Sequence, residues 1–334
     1  MICTSKLGDK STASEVAELY KDEVRDKTIV ITGVSLNGIG KAACAALAAH
    51  EPRRLIITGR DPERLQSMEK SLRDQFLGLD IRTVEMDLAS NESVRKAADK
   101  IDQFCAEDSG CIDILVNNAG VMCLPERQVT QEGIESHLQV NYVGHYLLTR
   151  LLLARLASSP GGGRVVNVSS SAHEISPFRF SDPAFSKAEG LAQDEQPLKD
   201  VCKHFDTPWT LDYSPLIAYG QSKAAVALHA VALSQSVGKG ITAISVNPGI
   251  IETDLWRHMP QELVSEILAC VPVKTHAQGA ATILAAALDP SLREHSGAYL
   301  EDCALATPSK HASDVDSSLK LWQWTEQKCH PYLN

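Results

Sequence analysis

The chain has 334 residues, a formal net charge of −10, 44% hydrophobic and 22% charged residues, and nine cysteines. That length buries a substantial core, and the dispersed negative charge argues against nucleic acid or an anionic membrane as partner. The first 27 residues hold no apolar core of signal-peptide length, no apolar run approaches a membrane span, and the scattered cysteines without a CxxC read as reduced thiols of a cytosolic protein with no metal site.

Residues 1–27 read as a helical or loose N-terminal extension. From Thr28 short β-branched runs alternate with helical segments. Strands are predicted at Thr28–Thr32, Arg54–Thr58, Arg82–Met86, Ile112–Val116, Arg164–Val168 and Ile241–Val246, with a late one near Ala298–Leu300. Helices are predicted at Ile39–His50, Pro62–Phe76, Glu92–Phe104, Gln131–Ala157 and Leu216–Val237. Asp61 before Pro62 is an N-cap followed by a first-turn proline. Strands of this length between helices make βαβ units and a parallel sheet, an α/β doubly wound, Rossmann-type fold in a single domain over 28–334. One irregular insertion, 174–215, lies between the fifth strand and the Leu216 helix and reads as a functional flap, here a substrate lid, or as a flexible segment. It carries Phe178, Phe180, Phe185, Phe205, Trp209 and Tyr213, which either wall an apolar substrate or anchor the flap.

The first strand runs into Thr32-Gly33-Val34-Ser35-Leu36-Asn37-Gly38-Ile39-Gly40 and then a helix. Glycines there let backbone approach a pyrophosphate, and the helix N-terminus offers free N–H groups. The bland alternative is a tight turn with nothing bound. The second strand ends at Gly59-Arg60, where an NAD binder usually carries an acidic residue. A guanidinium suits a 2′-phosphate, so NADP(H) is favoured over NAD(H). A solvated Arg60 is the alternative. Asp87-Leu88 ends the third strand, where adenine would be bracketed; Asp87 also reads as a helix cap. Asn117-Asn118-Ala119-Gly120 ends the fourth. Tyr219 and Lys223, four apart on a helix, share a face. A neighbouring cation lowers a phenol's pKa, which makes the pair a candidate general acid/base.

TGxxxxGxG, NNAG, Asn-Val-Ser-Ser, YxxxK and Pro-Gly-x-x-x-Thr occur in this order over 28–253. Together they resemble the short-chain dehydrogenase/reductase family. Asn141, Ser170 and the long insertion are similar to its retinol-dehydrogenase and WW-domain-oxidoreductase-like branch. The resemblance implies a catalytic tetrad of Asn141, Ser170, Tyr219 and Lys223. In it Tyr219 is the general acid in reduction and Ser170 donates a hydrogen bond to the substrate oxygen. Lys223 lowers the Tyr219 pKa and holds the nicotinamide ribose, and Asn141 supports a water. It also implies an NADP(H) site of Gly33, Ser35, Asn37, Gly38, Ile39, Gly40, Arg60, Asp87, Leu88, Asn118, Ala119, Gly120, Tyr219, Lys223, Pro248, Gly249, Ile251 and Thr253.

The glycine turn departs from the family's commonest spacing by one extra residue between Gly33 and Gly38. Ser170 is chosen over Ser169 and Ser171 by counting from Asn167 and by strand alternation. His137, His145 and His173 read as structural or solvated, and Trp322 and Trp324 as packing for a terminal helix. The expectation is an NADP(H)-dependent oxidoreductase interconverting a ketone or aldehyde and its alcohol on an apolar or aromatic small molecule. A non-catalytic NADP(H) sensor and a different chemistry on the same fold stand as alternatives. Monomer and homodimer are both open.

Overall fold

Thr28–Thr32 (β1) is buried at all five positions, as befits a parallel strand covered on both faces. The computed structural model describes residues 7–108, 110–187, 190–238 and 240–333; residues 1–6 of the extension and 188–189 of the insertion lie outside them. Around β1 stand β2 (Arg54–Gly59), β3 (Ile81–Glu85), β4 (Ile114–Asn117), β5 (Gly163–Val168), β6 (Ile241–Asn247), β7 (Tyr299–Glu301) and β8 (Ala304–Ala306). They form one sheet in the order β3-β2-β1-β4-β5-β6-β7-β8. Every pairing is parallel except that of β7 with β8. The chain therefore has the doubly wound α/β fold that its alternating pattern predicts. Strand order reverses between β1 and β4, and a ligand crevice opens there at the carboxyl ends of the strands.

The helices are α1 (Ala13–Leu19), α2 (Ile39–Ala48), α3 (Pro62–Gln75), α4 (Asn91–Ala106), α5 (Ser136–Leu138), α6 (Gly144–Leu151), α7 (Leu153–Ala157), α8 (Lys199–His204), α9 (Pro215–Ser236), α10 (Gln261–Cys270), α11 (His276–Leu288) and α12 (Val315–Leu333). Side chains of α1, α2, α3 and α11 share the apolar core on one face of the sheet. Those of α4, α6, α9 and α12 share the other. Asp61 caps α3 as expected, its Oδ1 accepting from Glu63 N and Arg64 N at 3.0 and 3.2 Å. The cap of α4 is Ser90, not Asp87, whose side chain accepts from Ala89 N at 3.0 Å. In the extension, a Thr12–Glu15 capping box starts α1, which buries Ala13, Val16 and Ala17 against α2 and α11.

The continuous helix expected over Gln131–Ala157 is not there. Gly133, at φ +74°, makes a turn closed by Thr130 N donating to Ile134 O at 2.9 Å. Helix begins only with α5, widens into a π-type turn at Gln139–Val143, resumes as α6 and breaks at Leu152 before α7. Helix α9 is long and apolar enough to cross a membrane by length and composition, contrary to the sequence reading, yet 94% of its most apolar window is buried within the fold. A helix enclosed on all sides needs no polar face.

Most of the insertion's first half is bolted to the body. Phe178 packs edge-on against Phe180 and against Trp324 of α12, with ring centroids 4.7 and 5.4 Å apart. Arg179 is fully buried and paired with Asp182 at 3.0 Å. Gln221, between Tyr219 and Lys223 on α9, reads the insertion's backbone. It accepts from Arg179 N at 3.2 Å and donates to Pro183 O at 3.0 Å.

Candidate active site

The glycine turn is built to be approached. Gly33 sits at φ +67°, and a Cβ on it would lie 2.5 Å from Ala119 Cα, so no other residue fits. A Cβ on Gly40 would meet the Asn118 amide at 3.0 Å, which makes this glycine a helix-packing residue behind the turn. Asn118 holds the turn by donating to Thr32 O and Gly33 O at 2.7 and 3.1 Å. The Thr32 hydroxyl accepts from Asn118 N and Ala119 N at 2.9 and 3.0 Å. Its own proton then points to His145 Nε2 at 2.8 Å, and His145 Nδ1 donates to Asn141 O at 2.9 Å. Burial holds His145 down to about 4, with the Lys223 charge adding to the effect and the Asn141 bond opposing it, so the ring stays neutral as this relay requires. A structural histidine was expected here; a link from the glycine turn to Asn141 was not. Its only sequence signal is the four-residue spacing from Asn141.

One cleft of about 1450 Å³ opens at the strand ends. Every predicted cofactor residue except Gly40 lines it, and so do Ser170, Tyr219 and Lys223. Asn141 stands behind the cleft in the π-type turn. Its Oδ1 accepts from Val121 N at 2.8 Å, and its Nδ2 donates to Val121 O at 3.0 Å and Ser222 Oγ at 2.8 Å. It thereby ties the turn after β4 to α9.

Tyr219 is 4% exposed. Burial pushes its phenol above the ordinary range, and a hydrogen bond with the Ser170 hydroxyl opposes that push. Lys223 is likewise buried, which brings its ammonium down to about 7. Its Nζ donates to Val168 O at 2.8 Å and lies 5.5 Å from the Tyr219 ring centroid. Enclosure penalises both charged forms, the phenolate and the ammonium. Ser170 follows β5 in extended conformation, and its hydroxyl accepts from Ala172 N at 3.2 Å. The neighbouring Ser169 hydroxyl is spent on Lys223 O at 2.8 Å. Behind Ser170, His173 Nδ1 donates to Ser170 O at 2.7 Å, while its Nε2 accepts from Ser309 N at 3.0 Å.

The outer part of the cleft has an apolar wall that includes Met122, Phe205, Tyr213, Leu216, Trp256 and Met259. Of the insertion's aromatic residues only Phe205 and Tyr213 line it; Phe178, Phe180, Phe185 and Trp209 do not. The loop after β4 is clamped at Leu124. His137 Nε2 accepts from Leu124 N at 3.1 Å and the Tyr213 hydroxyl donates to Leu124 O at 2.7 Å. The buried Glu135 carboxylate, 2.8 Å from His137 Nδ1, fixes that tautomer. No local sequence signal joins these residues. Thr253 caps the 3-10 turn Asp254–His258, accepting from Leu255 N at 3.2 Å. Among the described residues no His, Cys, Asp and Glu group is arranged to hold a metal.

Comparison with known proteins places this geometry. Residues 27–190 match the short chain dehydrogenase family. Human retinol dehydrogenase 12 is 35% identical over 298 residues, covering 89% of this chain and 84% of that protein. The chain belongs to the short-chain dehydrogenase/reductase family, on its retinol-dehydrogenase-like branch. The oxidoreductase fscI of Fusarium equiseti is 52% identical over 241 residues, 71% of this chain and 92% of that protein. Among solved structures, the NADPH-bound carbonyl reductase from chicken fatty liver shares the fold, with a TM-score of 0.61 at 20% identity over 85% of this chain and all of that one. As a family member the chain is an oxidoreductase with a nicotinamide-nucleotide site.

The residues present fit such a nucleotide. The turn that only Gly33 satisfies, the uncapped N-terminus of α2 at Gly38 and the open cleft leading to Tyr219 are the parts a dinucleotide needs.

Proposed function

We propose that this short-chain dehydrogenase/reductase interconverts a ketone or aldehyde and its alcohol on an apolar or aromatic small molecule, using NADP(H). The observation that carries the reading is the Tyr219 phenol, hydrogen-bonded to Ser170 and one turn from Lys223, in the same cleft as the glycine turn. Bound nicotinamide supplies or accepts the hydride. Tyr219, held protonated by burial, is a loaded proton donor at neutral pH. In this reading the Ser170 hydroxyl, next to the Tyr219 phenol, donates to the substrate's carbonyl oxygen and stabilises charge developing there. Lys223, fixed by Val168 O, is placed to hold the nicotinamide ribose. Asn141, locked to Val121 and Ser222, holds the cleft floor in register. The apolar outer wall favours a substrate that leaves water, and the relative named for retinol is named for such an alcohol. Cysteines such as Cys44, Cys105 and Cys329 are free and buried, which suits the cytosolic placement included in this reading.

Following NADPH absorbance with a panel of apolar ketones and aldehydes tests the activity. Turnover on at least one is the expected result. Tight NADPH binding without turnover on any carbonyl or alcohol would favour a nucleotide sensor instead.

The cofactor preference rests on Arg60, which is exposed, lines the cleft beyond Gly59 and has no carboxylate partner at salt-bridge distance among the described residues. Arg60→Ala is expected to weaken NADPH by about 1.5–3 kcal/mol, the range for a charge-assisted hydrogen bond, and to leave NADH nearly unchanged. Fluorescence titration of both nucleotides measures it. Equal weakening of both would remove Arg60 from phosphate recognition.

The lid role of the insertion rests on its second half, where Phe205 and Tyr213 reach the cleft. Phe205→Ala is expected to raise KM for a large apolar carbonyl by about tenfold, the worth of part of a buried aromatic ring, with NADPH affinity unchanged. Steady-state kinetics on a small and a large substrate decide it; a KM for the large substrate equal to that of the parent protein would exclude Phe205 from the substrate wall.

A further inference from the structure

Arginines reach this cleft from two separate parts of the chain. Arg60 follows β2 and Arg64 lies in the first turn of α3, while Arg257 comes from the 3-10 turn Asp254–His258 that follows β6. In the sheet, β2 and β6 lie on opposite sides of the switch between β1 and β4. A side chain from the β6 side must span the nucleotide crevice to meet one from the β2 side. The backbone carries it there. Asp254 N donates to Asn37 O of the glycine turn at 3.3 Å, which seats the 3-10 turn against the phosphate end of the cleft. Arg257 Nη1 then donates to Asp254 O at 2.7 Å.

The electrostatics agree with this placement. Arg257 is exposed, yet partial desolvation first, then the positive charge of Arg60, holds its guanidinium below the ordinary arginine range; Asp254 opposes the effect and Arg64 adds to it. His258 is lowered by burial, then by Arg257, His137 and Arg60. Arg64 has Asp61 at 3.4 Å, but among the described residues neither Arg60 nor Arg257 has a carboxylate at salt-bridge distance. Like charges gathered in a cleft repel one another even with Asp61 and Asp254 nearby, and a further anion between them relieves the repulsion. Guanidiniums that line one cleft, from the β2 side and from the β6 side, suit a tetrahedral dianion between them, since each offers a paired set of N–H donors.

We propose that Arg257 and Arg60 form a two-sided clasp for a phosphate monoester, the 2′-phosphate of the bound nucleotide, with Arg257 supplied by the wall that also carries Leu255, Trp256 and Met259. The inference rests on the NADP(H) reading and extends it. The phosphate that selects the cofactor also seats the segment against which the substrate lies. A nucleotide lacking the 2′-phosphate leaves Arg257 without its anion and that wall less firmly closed.

The test uses the full chain and two fragments that carry no nicotinamide, 2′-phospho-ADP-ribose and ADP-ribose. Calorimetric titration gives the affinity ratio of the two for the parent protein, Arg257→Ala, Arg257→Lys and Arg60→Ala. In the parent the 2′-phosphorylated fragment is expected to bind at least about tenfold more tightly, the scale of one charge-assisted contact. Arg257→Ala is expected to lose about tenfold of that preference with ADP-ribose affinity unchanged. Arg257→Lys should recover only part of it, because an ammonium has no paired donors. A parent protein with no preference would overturn the NADP(H) reading and the clasp with it. A clear parent preference that Arg60→Ala reduces and Arg257→Ala leaves intact would overturn the clasp alone. Equal weakening of both fragments by Arg257→Ala would also overturn it, since Arg257 would then act on the pyrophosphate or on loop packing.

Discussion

Tyr219→Phe is expected to lower turnover by at least about 10²-fold, the scale on which a positioned general acid contributes, while NADPH binds as before. The substitution keeps the ring, and the ring's environment is dense enough to hold it in place. Tyr219 is buried in a satellite core with Ile175, Ile217 and Ala218, and lies 6.3 Å from the His137 ring, edge to face. What is removed is one hydroxyl, hydrogen-bonded to Ser170 and facing the cleft. Ser170 keeps its own bond from Ala172 N, so the segment after β5 does not come loose. Single-turnover oxidation of bound NADPH by an excess of carbonyl substrate isolates the chemical step, and quenching of protein fluorescence by NADPH reports binding separately. A variant with ordinary binding and most of its single-turnover rate would take Tyr219 out of the proton transfer. The proton would then have to come through solvent.

Arg179→Met is expected to be the most damaging single change to stability. Arg179 has no exposed surface, and Asp182, 3.0 Å away, has 3% of its side chain exposed. The guanidinium also donates to Leu211 O at 2.9 Å and lies 4.2 Å from the Phe185 ring centroid. One side chain therefore ties the start of the insertion to its end. Removing it leaves the Asp182 charge buried without its cation, and breaking such a pair costs roughly 3–5 kcal/mol. Urea unfolding measures the loss. Adding Asp182→Leu to Arg179→Met should return part of it, because no lone charge is then buried. Full recovery is not expected, since Asp182 also accepts from Ser186 N and Lys187 N at 2.7 and 3.1 Å. A midpoint equal to that of the parent protein would mean the pair is reached by water and contributes little.

The same pair sets a pH dependence. Burial raises the Asp182 carboxyl, but the hydrogen bonds from Ser186 and Lys187 and the Arg179 charge outweigh it and hold the group below the usual aspartate range. A depressed carboxyl contributes stability that is present above its unfolded value of about 4. That contribution is lost as pH falls through the lower, folded value. The parent protein should therefore lose stability below about pH 4 more steeply than the double variant.

Much of this molecule follows from local sequence. The strands announce themselves as β-branched runs of the right length, Asp61-Pro62 marks a helix start through its own cap, and Gly33 is required by a backbone angle that a side chain would strain. Tyr219 and Lys223 share a helix face by spacing alone. Each signal depends on residues within about one turn of each other, which is the range over which periodicity, caps and φ preferences act.

What the sequence did not show depends on partners far along the chain. The expected helix from Gln131 opens into a π-type turn where the Asn141 side chain bonds Val121 and Ser222, 20 and 81 positions away. The His145 ring joins Thr32, 113 positions back, to Asn141. An insertion that reads as a flap is half core, because Arg179 meets Asp182 and Leu211 with its side chain fully buried. Nothing in the sequence brings Arg257 to the glycine turn; Asp254 N does so by donating to Asn37 O, 217 positions back. Burial opposes charge on the Tyr219 phenol and on the Lys223 ammonium alike, an effect that their spacing does not show. Local spacing put Tyr219 beside Lys223; only the packed tertiary structure determines how deeply the two are enclosed, and enclosure is what opposes charge on each.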